Sequence, residues 1–479
     1  MNRPLTRLSV VALAALLSAC ASLAPSQGTP AAAIPTQFGH SVAGSVTSST
    51  TVDAAQIAWQ DFVQEPRLRD TITLALQNNR SLRQAVLAIE QARASYRISD
   101  AAQWPTVEAG ASVSNSRTPG QATSSGQVQR SRSNSLSVGI SAYEVDLFGR
   151  VANLKDAALE SFLATEQARR SAQISLVAEL SQSWLALAAD QAQLALARRT
   201  LDSQQRTLEL QQQRHALGAS SGLSLAQLQT GVEGARRDVA AYEAQVQQDR
   251  NALQALVGTE IPAGLLPPET GAAGTAGTAA AVTGLVAVPA DLPSSVLQQR
   301  PDVLAAEHAL RAAAQDIGAA RAALYPSIRL TSSLGTASTS LGDLFKGGAW
   351  SFVPSISLPI FDGGAARANV SAKEVARDIQ LAAYDQTLQT AFREVADALA
   401  VRATLDRRLA AQQALVDAAA QALQLAEARQ AAGASSALDV LDAQRTLYAA
   451  QQGLITLRLT EQGNRVSLFK ALGGGWKAA

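Results

Sequence analysis

Leucine and valine recur every seven residues through the middle of the chain, at Leu180, Leu187, Leu194, Leu201 and Leu208, answered by Leu225, Val232, Val239, Val246 and Leu253. A seven-residue apolar repeat underwinds an α-helix and wraps a pair of helices into a left-handed coiled coil. The spacing returns at Leu388, Val395, Leu409, Val416 and Leu423, interrupted only by Arg402. The other faces of these helices carry Gln, Ala, Ser and Arg, which suit neighbouring helices or water rather than lipid. Each pair is joined by the same four residues, Gly218-Ala219-Ser220-Ser221 and Gly433-Ala434-Ser435-Ser436. Gly supplies the left-handed turn that ends a helix and Ser caps the next, so each tetrapeptide predicts the tip of a helical hairpin. The helix leading to the first tip contains no Pro from Arg150 to Leu217; at 1.5 Å per residue it is roughly 100 Å long.

A second pattern alternates with period two. Val107, Ala109, Ala111 and Val113 are spaced by polar or small residues, and Leu136, Val138, Ile140 and Ala142 repeat the pattern after a polar loop. Together they predict a hairpin with strands over about 105–116 and 133–145. Helical spacing from about Leu68 to Ala102 stops before it at Trp104-Pro105, because Pro disfavours helix for the residue it follows. The programme then recurs. Val296 onward is helical to Tyr325-Pro326; Ile328, Leu330, Ser332 and Leu334 open a second hairpin, which Phe352, Ile356 and Leu358 complete. Its strands fall at about 326–336 and 350–360, with Pro354 an awkward occupant of the second. Landmarks repeat after 221 residues (Trp104 to Tyr325), 213 (Phe148 to Phe361) and 215 (Gly218 to Gly433), which indicates an internal duplication. The repeats span 56–260 and 294–472, separated by a Pro-, Ala- and Gly-rich linker over 261–293 and followed by a tail over 473–479.

The strands have the length of tilted transmembrane strands, about 9–11 residues, and one apolar face. Four strands cannot close a barrel, and open sheet edges are not tolerated in hydrocarbon. Several subunits must then share one barrel: two would give eight strands and three would give twelve, and a conducting interior needs the larger number. A soluble β-layer on a helical protein would show the same alternation. The fold class is therefore mainly α with a transmembrane β-barrel portion, built from a duplicated unit of long antiparallel coiled-coil helices and two β-hairpins.

Composition sharpens the picture at the N-terminus. Arg3 and Arg7 precede an apolar run from Leu8 to Leu17, too short to span a bilayer but suited to a secretory signal over 1–19. Cys20 is the single Cys of 479 residues, so it forms no intrachain disulfide. Residues 20–55 are rich in Ser, Thr, Pro, Gly and Ala and read as a tether. The 40 basic and 39 acidic residues are dispersed, which predicts no nucleic-acid partner. His40, His215 and His308 share no metal-ligand spacing, and no phosphate loop or Ser–His pairing stands out, so neither metal, cofactor nor enzyme activity is expected. Arg300-Pro301-Asp302 reads as a helix start, with Pro in the first turn and Asp at the positive end of the dipole. Asp439 and Asp442 share one helical face just beyond the second tip. Asp439 can cap the helix with Ser436, but Ser224 and Gln227 follow the first tip, so helix initiation does not demand two acids.

Several stretches carry a resemblance. Leu17-Ser18-Ala19-Cys20 resembles the bacterial lipobox, which implies lipid on the Cys20 thiol and, with Ala21 following, sorting to the outer membrane. Leu297-Gln298-Gln299-Arg300-Pro301-Asp302-Val303, Tyr325-Pro326, Leu358-Pro359-Ile360-Phe361-Asp362-Gly363-Gly364 and Phe469-Lys470-Ala471-Leu472-Gly473-Gly474-Gly475-Trp476 resemble the TolC-like outer membrane efflux proteins, in their NodT-type lipoprotein branch. The resemblance implies a homotrimer, lipid-anchored in the cell outer membrane, with a twelve-stranded barrel continuous with an α-helical barrel that extends through the periplasm. Such a duct is a passive exit for drugs or small solutes. Its partners are a periplasmic membrane fusion (adaptor) protein and a proton-driven inner-membrane transporter of the RND type. It also implies that Asp439 and Asp442 form a constriction at the periplasmic end, and that the adaptor grips the tips Gly218 to Ser221 and Gly433 to Ser436. The family's Tyr and Arg lock beside this turn is replaced here by Gln430 and Ser435. An exit channel for secreted polypeptides shares this architecture, and a non-conducting periplasmic coiled-coil lipoprotein that tethers envelope layers is the rival of another class.

Overall fold

The structure, a computed structural model, describes residues 22–26, 34–38, 57–268, 285–286 and 293–474. The signal segment, Cys20, most of the tether and linker, and Gly475 onward lie outside them. In chain order the elements are α1 (Trp59–Phe62), α2 (Pro66–Asn78), α3 (Arg80–Ala101), β1 (Val107–Thr118), β2 (Gln129–Val145), α4 (Arg150–Ala216) and α5 (Gly222–Val257). They continue with α6 (Pro301–Ala322), β3 (Ser327–Ser338), β4 (Gly348–Ser357), α7 (Ala365–Ala431) and α8 (Ala437–Ala471). The duplicated order predicted from the landmarks is present. The helix predicted as continuous from Leu68 breaks at Asn79, whose side-chain oxygen accepts from Leu82 N while its amide donates to Leu256 O. Satisfying those groups by a side chain is what lets the chain start a new helix there.

The chain divides into two compact units. One holds Ala88–Glu166, Ala305–Asp385 and the described residues of Met1–Ala31. It is built on an antiparallel sheet in the order β1-β2-β3-β4. Register aligns the apolar positions across all four strands: Val107, Ile140, Ser332 and Phe352 form one row, and Ala109, Val138, Leu334 and Trp350 the next. Directly opposed residues share a face, so these rows form one apolar surface, and Val107, Val138, Leu334, Trp350 and Phe352 are exposed on it in the single chain. The reverse face is polar, with hydroxyl contacts of 2.8 Å between Ser112 and Ser135 and between Ser333 and Ser351.

Two expectations for the sheet are corrected. The predicted bounds shift by a few residues: β2 begins four residues before 133, and β4 ends at Ser357, leaving Leu358 outside it. The alternation through Leu136, Val138 and Ile140 does not continue to Ala142, because a bulge between Ile140 and Tyr143 restarts the pairing with Tyr143 and Val145. Ala142 takes the extra residue at φ 51°, which changes the strand's phase. Pro354 lies within β4, opposite Leu330, on an outer strand of the sheet.

At the base of the strands the two repeats use the same device. Asp146 accepts from Arg150 N and Ala152 N at 2.7 and 2.8 Å, and Asp362 accepts from Gly364 N and Ala366 N at 2.9 and 2.7 Å. Each carboxylate satisfies the free N–H groups that open a long helix, and those bonds hold the Asp362 carboxyl below its ordinary range. Ser22 donates to buried Asn153 at 2.7 Å, and Asn153 donates to Gly149 O at 2.6 Å, so this piece of the tether is seated on the start of α4.

The second unit holds the described residues of Ala32–Leu87, Gln167–Leu304 and Gln386–Ala479. The heptad positions form its seams: Leu180, Leu187, Leu253 and Leu388 are fully buried, and Val232, Val246, Val395 and Val416 nearly so. Val416, Ala419, Ala450 and Leu454 join α7 to α8. The linker ends are fastened here too. Leu265 O accepts from Thr71 Oγ1 and Trp184 Nε1, both at 3.1 Å, and Leu285 pairs with Val63. Phe62 and Phe469 stack with centroids 4.0 Å apart.

Arg300 is more than the helix start its motif suggests. The residue is 6% exposed, and its guanidinium holds Asp302 in a two-pronged pair, Glu394 at 3.0 Å and Ala471 O at 2.6 Å. Burial pushes the Asp302 carboxyl up, but Arg300 outweighs it and holds the group below its ordinary range. Gly473, at φ 77°, lies so close to Arg300 that an added Cβ would sit 3.2 Å from its Cγ, which accounts for the first Gly of the C-terminal run. Arg300→Ala is expected to cost about 2 kcal/mol in urea unfolding, because several charge-assisted bonds are lost. Arg300→Lys should recover only part of it, since an ammonium cannot fork onto Asp302.

Candidate functional site

The two tips share a backbone. In the first, Gly218 N donates to His215 O and Ala219 N to Arg214 O; in the second, Gly433 N donates to Gln430 O and Ala434 N to Arg429 O. Both glycines sit at φ 75°. These paired bonds close the last helical turn of α4 and α7 and need a left-handed residue, which Gly adopts without steric cost. Ser221 and Ser436 then cap α5 and α8. Their chemistry differs beyond the cap. At the first tip Ser221 accepts from Ser224 N, and His215 Nδ1 contacts Ser220 O at 2.7 Å. At the second, Ser436 and Asp439 form a full capping box: Asp439 N donates to Ser436 Oγ at 3.3 Å and Ser436 N to Asp439 Oδ2 at 2.9 Å.

Packing decides which way the acids face. Ala437, Val440, Leu441 and Gln444 are buried, and Ala437 and Leu441 pack on Leu228 of α5 with Leu208 of α4 beside them. With that face inward, Asp439, Asp442, Arg445 and Thr446 are exposed on the other side of the helix. The structure thus brings Asp439 and Asp442 onto one open face, one of them also bound into the cap.

Around the second tip the side-chain bonds of Ser435 and Arg429 are local. Ser435 Oγ donates to Ala426 O at 3.4 Å and Arg429 to Ala434 O at 3.3 Å, so both bonds close on their own hairpin. The links between hairpins lie further along the helices, at residues the sequence did not single out. Tyr448 Oη of α8 lies 3.4 Å from Asp238 Oδ2 of α5, Gln452 donates to Tyr242 Oη at 3.1 Å, and Gln193 of α4 donates to Gln452 O at 3.2 Å. Burial, and then the Asp238 charge, push the Tyr448 hydroxyl up, which keeps it protonated and able to donate. The only available signal was the rarity of Tyr, six in the chain, three of them within the long coiled-coil helices.

Inside the first hairpin, Asp190 of α4 is pushed up to about 7 by burial, then by its hydrogen bond to Asp249 of α5 and that group's charge. Asp249 Oδ2 is buried with no other donor, as expected if Asp190 keeps a proton between the two carboxyls. His308 Nδ1 lies 2.6 Å from Glu160 Oε2, an ion pair when the imidazole is protonated.

A profile of outer membrane efflux proteins matches residues 71–259 and 292–474. The chain belongs to the outer membrane efflux protein family. It is similar to the toluene efflux pump outer membrane protein TtgC of Pseudomonas putida, 44% identical over 479 residues, covering 99% of this chain and 96% of that protein. The outer membrane protein OprJ of Pseudomonas aeruginosa is 42% identical over 478 residues, 99% of this chain and 97% of that one. In structure it resembles the open state of the Neisseria gonorrhoeae MtrE outer membrane channel, with a TM-score of 0.84 and 36% identity over 95% of this chain and 99% of that one. The fold is TolC-like, and this efflux protein resides in the outer membrane. No described helix is long and apolar enough to cross a membrane; the apolar surface of this family member lies on its sheet.

The Asp190 pair gives a pH dependence with a defined sign. The folded chain holds the proton up to about pH 7, whereas the unfolded chain releases it near its ordinary value of 3.8. Stability from this group is present below that value and is lost as pH rises toward 7. Melting temperature followed across this range should therefore fall with pH, and Asp190→Asn should flatten the decline and melt higher than the parent at pH 8.

Proposed function

We propose that three copies of this chain form one passive duct, with a twelve-stranded barrel in the outer membrane and an α-helical barrel in the periplasm. The observation that carries this reading is the sheet: one apolar face across four strands, and two edges that no strand among the described residues pairs. A barrel interior wide enough for solutes needs more strands than one or two chains supply. The duct is the exit of a tripartite pump, joined to a periplasmic adaptor and an RND-type transporter, and its cargo is drugs or small solutes, toluene being the small apolar solute for which TtgC is named.

In the trimer the six tips Gly218 to Ser221 and Gly433 to Ser436 form the periplasmic mouth that the adaptor holds. Asp439 and Asp442 of each copy line the constriction there, six carboxylates that admit cations and narrow the resting channel. Their exposed face, supported from behind by Leu441 on Leu228, fits that role. Lipid on Cys20 anchors the chain; the seating of Ser22 on Asn153, close to the base of the strands, is consistent with an anchor at the membrane.

Purified protein in planar bilayers should conduct with a cation preference. Asp439→Ala combined with Asp442→Ala should raise the conductance and weaken that preference several-fold; unchanged values for both would remove these residues from the constriction. Cys20→Ser should abolish incorporation of labelled palmitate, and persistent labelling would place the lipid elsewhere.

A further inference from the structure

The duplication makes one contact inside the chain a template for a contact that a single chain cannot make. Phe148, just after β2, stacks on Tyr325, just before β3, with ring centroids 4.7 Å apart and planes 19° from parallel. This pair seals the base of the sheet where the two repeats meet, at the β2–β3 junction. In the duplication Phe361 after β4 is the counterpart of Phe148, in Leu147-Phe148-Gly149 against Ile360-Phe361-Asp362, and Trp104-Pro105 before β1 is the counterpart of Tyr325-Pro326. Those counterparts flank the two open edges of the sheet. Trp104 is 71% exposed and Phe361 91%, and neighbouring Ile360 is 95% exposed.

We infer that Phe361 of one copy stacks on Trp104 of the next copy, an aromatic clasp between subunits at the base of the barrel. The occupant is a second copy of this chain because β1 and β4 are three strand spacings apart in one sheet, about 14 Å at about 4.8 Å each. The two edges are compatible. Strand direction alternates along β1-β2-β3-β4, so β4 meets the β1 of another copy antiparallel, as β2 meets β3. Offset aromatic stacks of this kind contribute beyond the area they bury, and a nearly naked Phe, Ile and Trp at two edges that must be covered is the surface that needs them. The inference rests on the shared-barrel reading and adds the residues that join its subunits.

The test is thiol cross-linking of the full-length, lipidated protein in outer membranes with a short bismaleimide. Trp104→Cys and Phe361→Cys in one chain should give covalent ladders up to three chains after boiling in SDS. Co-expressed single variants should give dimers only, and each single variant alone should give none. Phe148→Cys with Tyr325→Cys is the control and should cross-link within one chain. If the native mass in detergent shows an oligomer and the control reacts, but the Trp104 and Phe361 pair does not, the clasp is wrong while the shared barrel stands, and the two rings face lipid headgroups instead. If no oligomer forms, both fail. Independently of the cysteines, Trp104→Ala and Phe361→Ala should each lower the temperature at which the oligomer dissociates in SDS by several degrees, whereas Trp104→Phe should keep most of it. Equal effects of Trp104→Phe and Trp104→Ala would contradict stacking.

Discussion

Everything above the level of a single helix pair depends on one constraint: a sheet with an apolar face cannot keep open edges in hydrocarbon. Each unpaired N–H or C=O there costs several kcal/mol, with no water to relieve it. The sheet of this chain has its apolar rows in register and an edge on either side. Neither feature is useful to a soluble monomer. Together they are what the proposed barrel, completed by copies of the same chain, requires.

The duplication supplies equivalence of fold without equivalence of chemistry. Gly218 and Gly433 have the same φ and the same pair of closing bonds, and both following helices are capped by Ser. Because the backbones match, the difference between the tips is one of side chains: Ser224 and Gln227 after the first, Asp439 and Asp442 after the second. The capping box accounts for Asp439 alone. Asp442 lies one turn further on, exposed, where helix initiation has no use for it. The same logic, applied at the other end of the repeat, makes Phe148 on Tyr325 a guide to Phe361 and Trp104.

What was legible in the sequence was local or periodic. Heptads placed the buried seams at Leu180, Leu187, Leu253 and Leu388, the tetrapeptides placed both turns, and alternation placed all four strands. Alternation fails at Ala142 because a bulge consumes a residue without leaving a compositional mark. The break at Asn79 was not read, although its cap onto Leu82 N is local; only the second bond of that side chain, to Leu256 O, lies more than a hundred residues away. The Tyr448–Asp238 and Gln452–Tyr242 links were not legible at all, since they require the rotation of α8 against α5, which Leu441 on Leu228 sets. Arg300 was read correctly as part of a helix start, yet its bonds to Glu394 and Ala471 bring together segments that no spacing rule connects.

The shared barrel is the central claim, and the mass of the intact protein in detergent, measured by native mass spectrometry, tests it most directly. Three chain masses are predicted. A stable species of two chains, which would close only eight strands, or of one chain alone, would contradict the account.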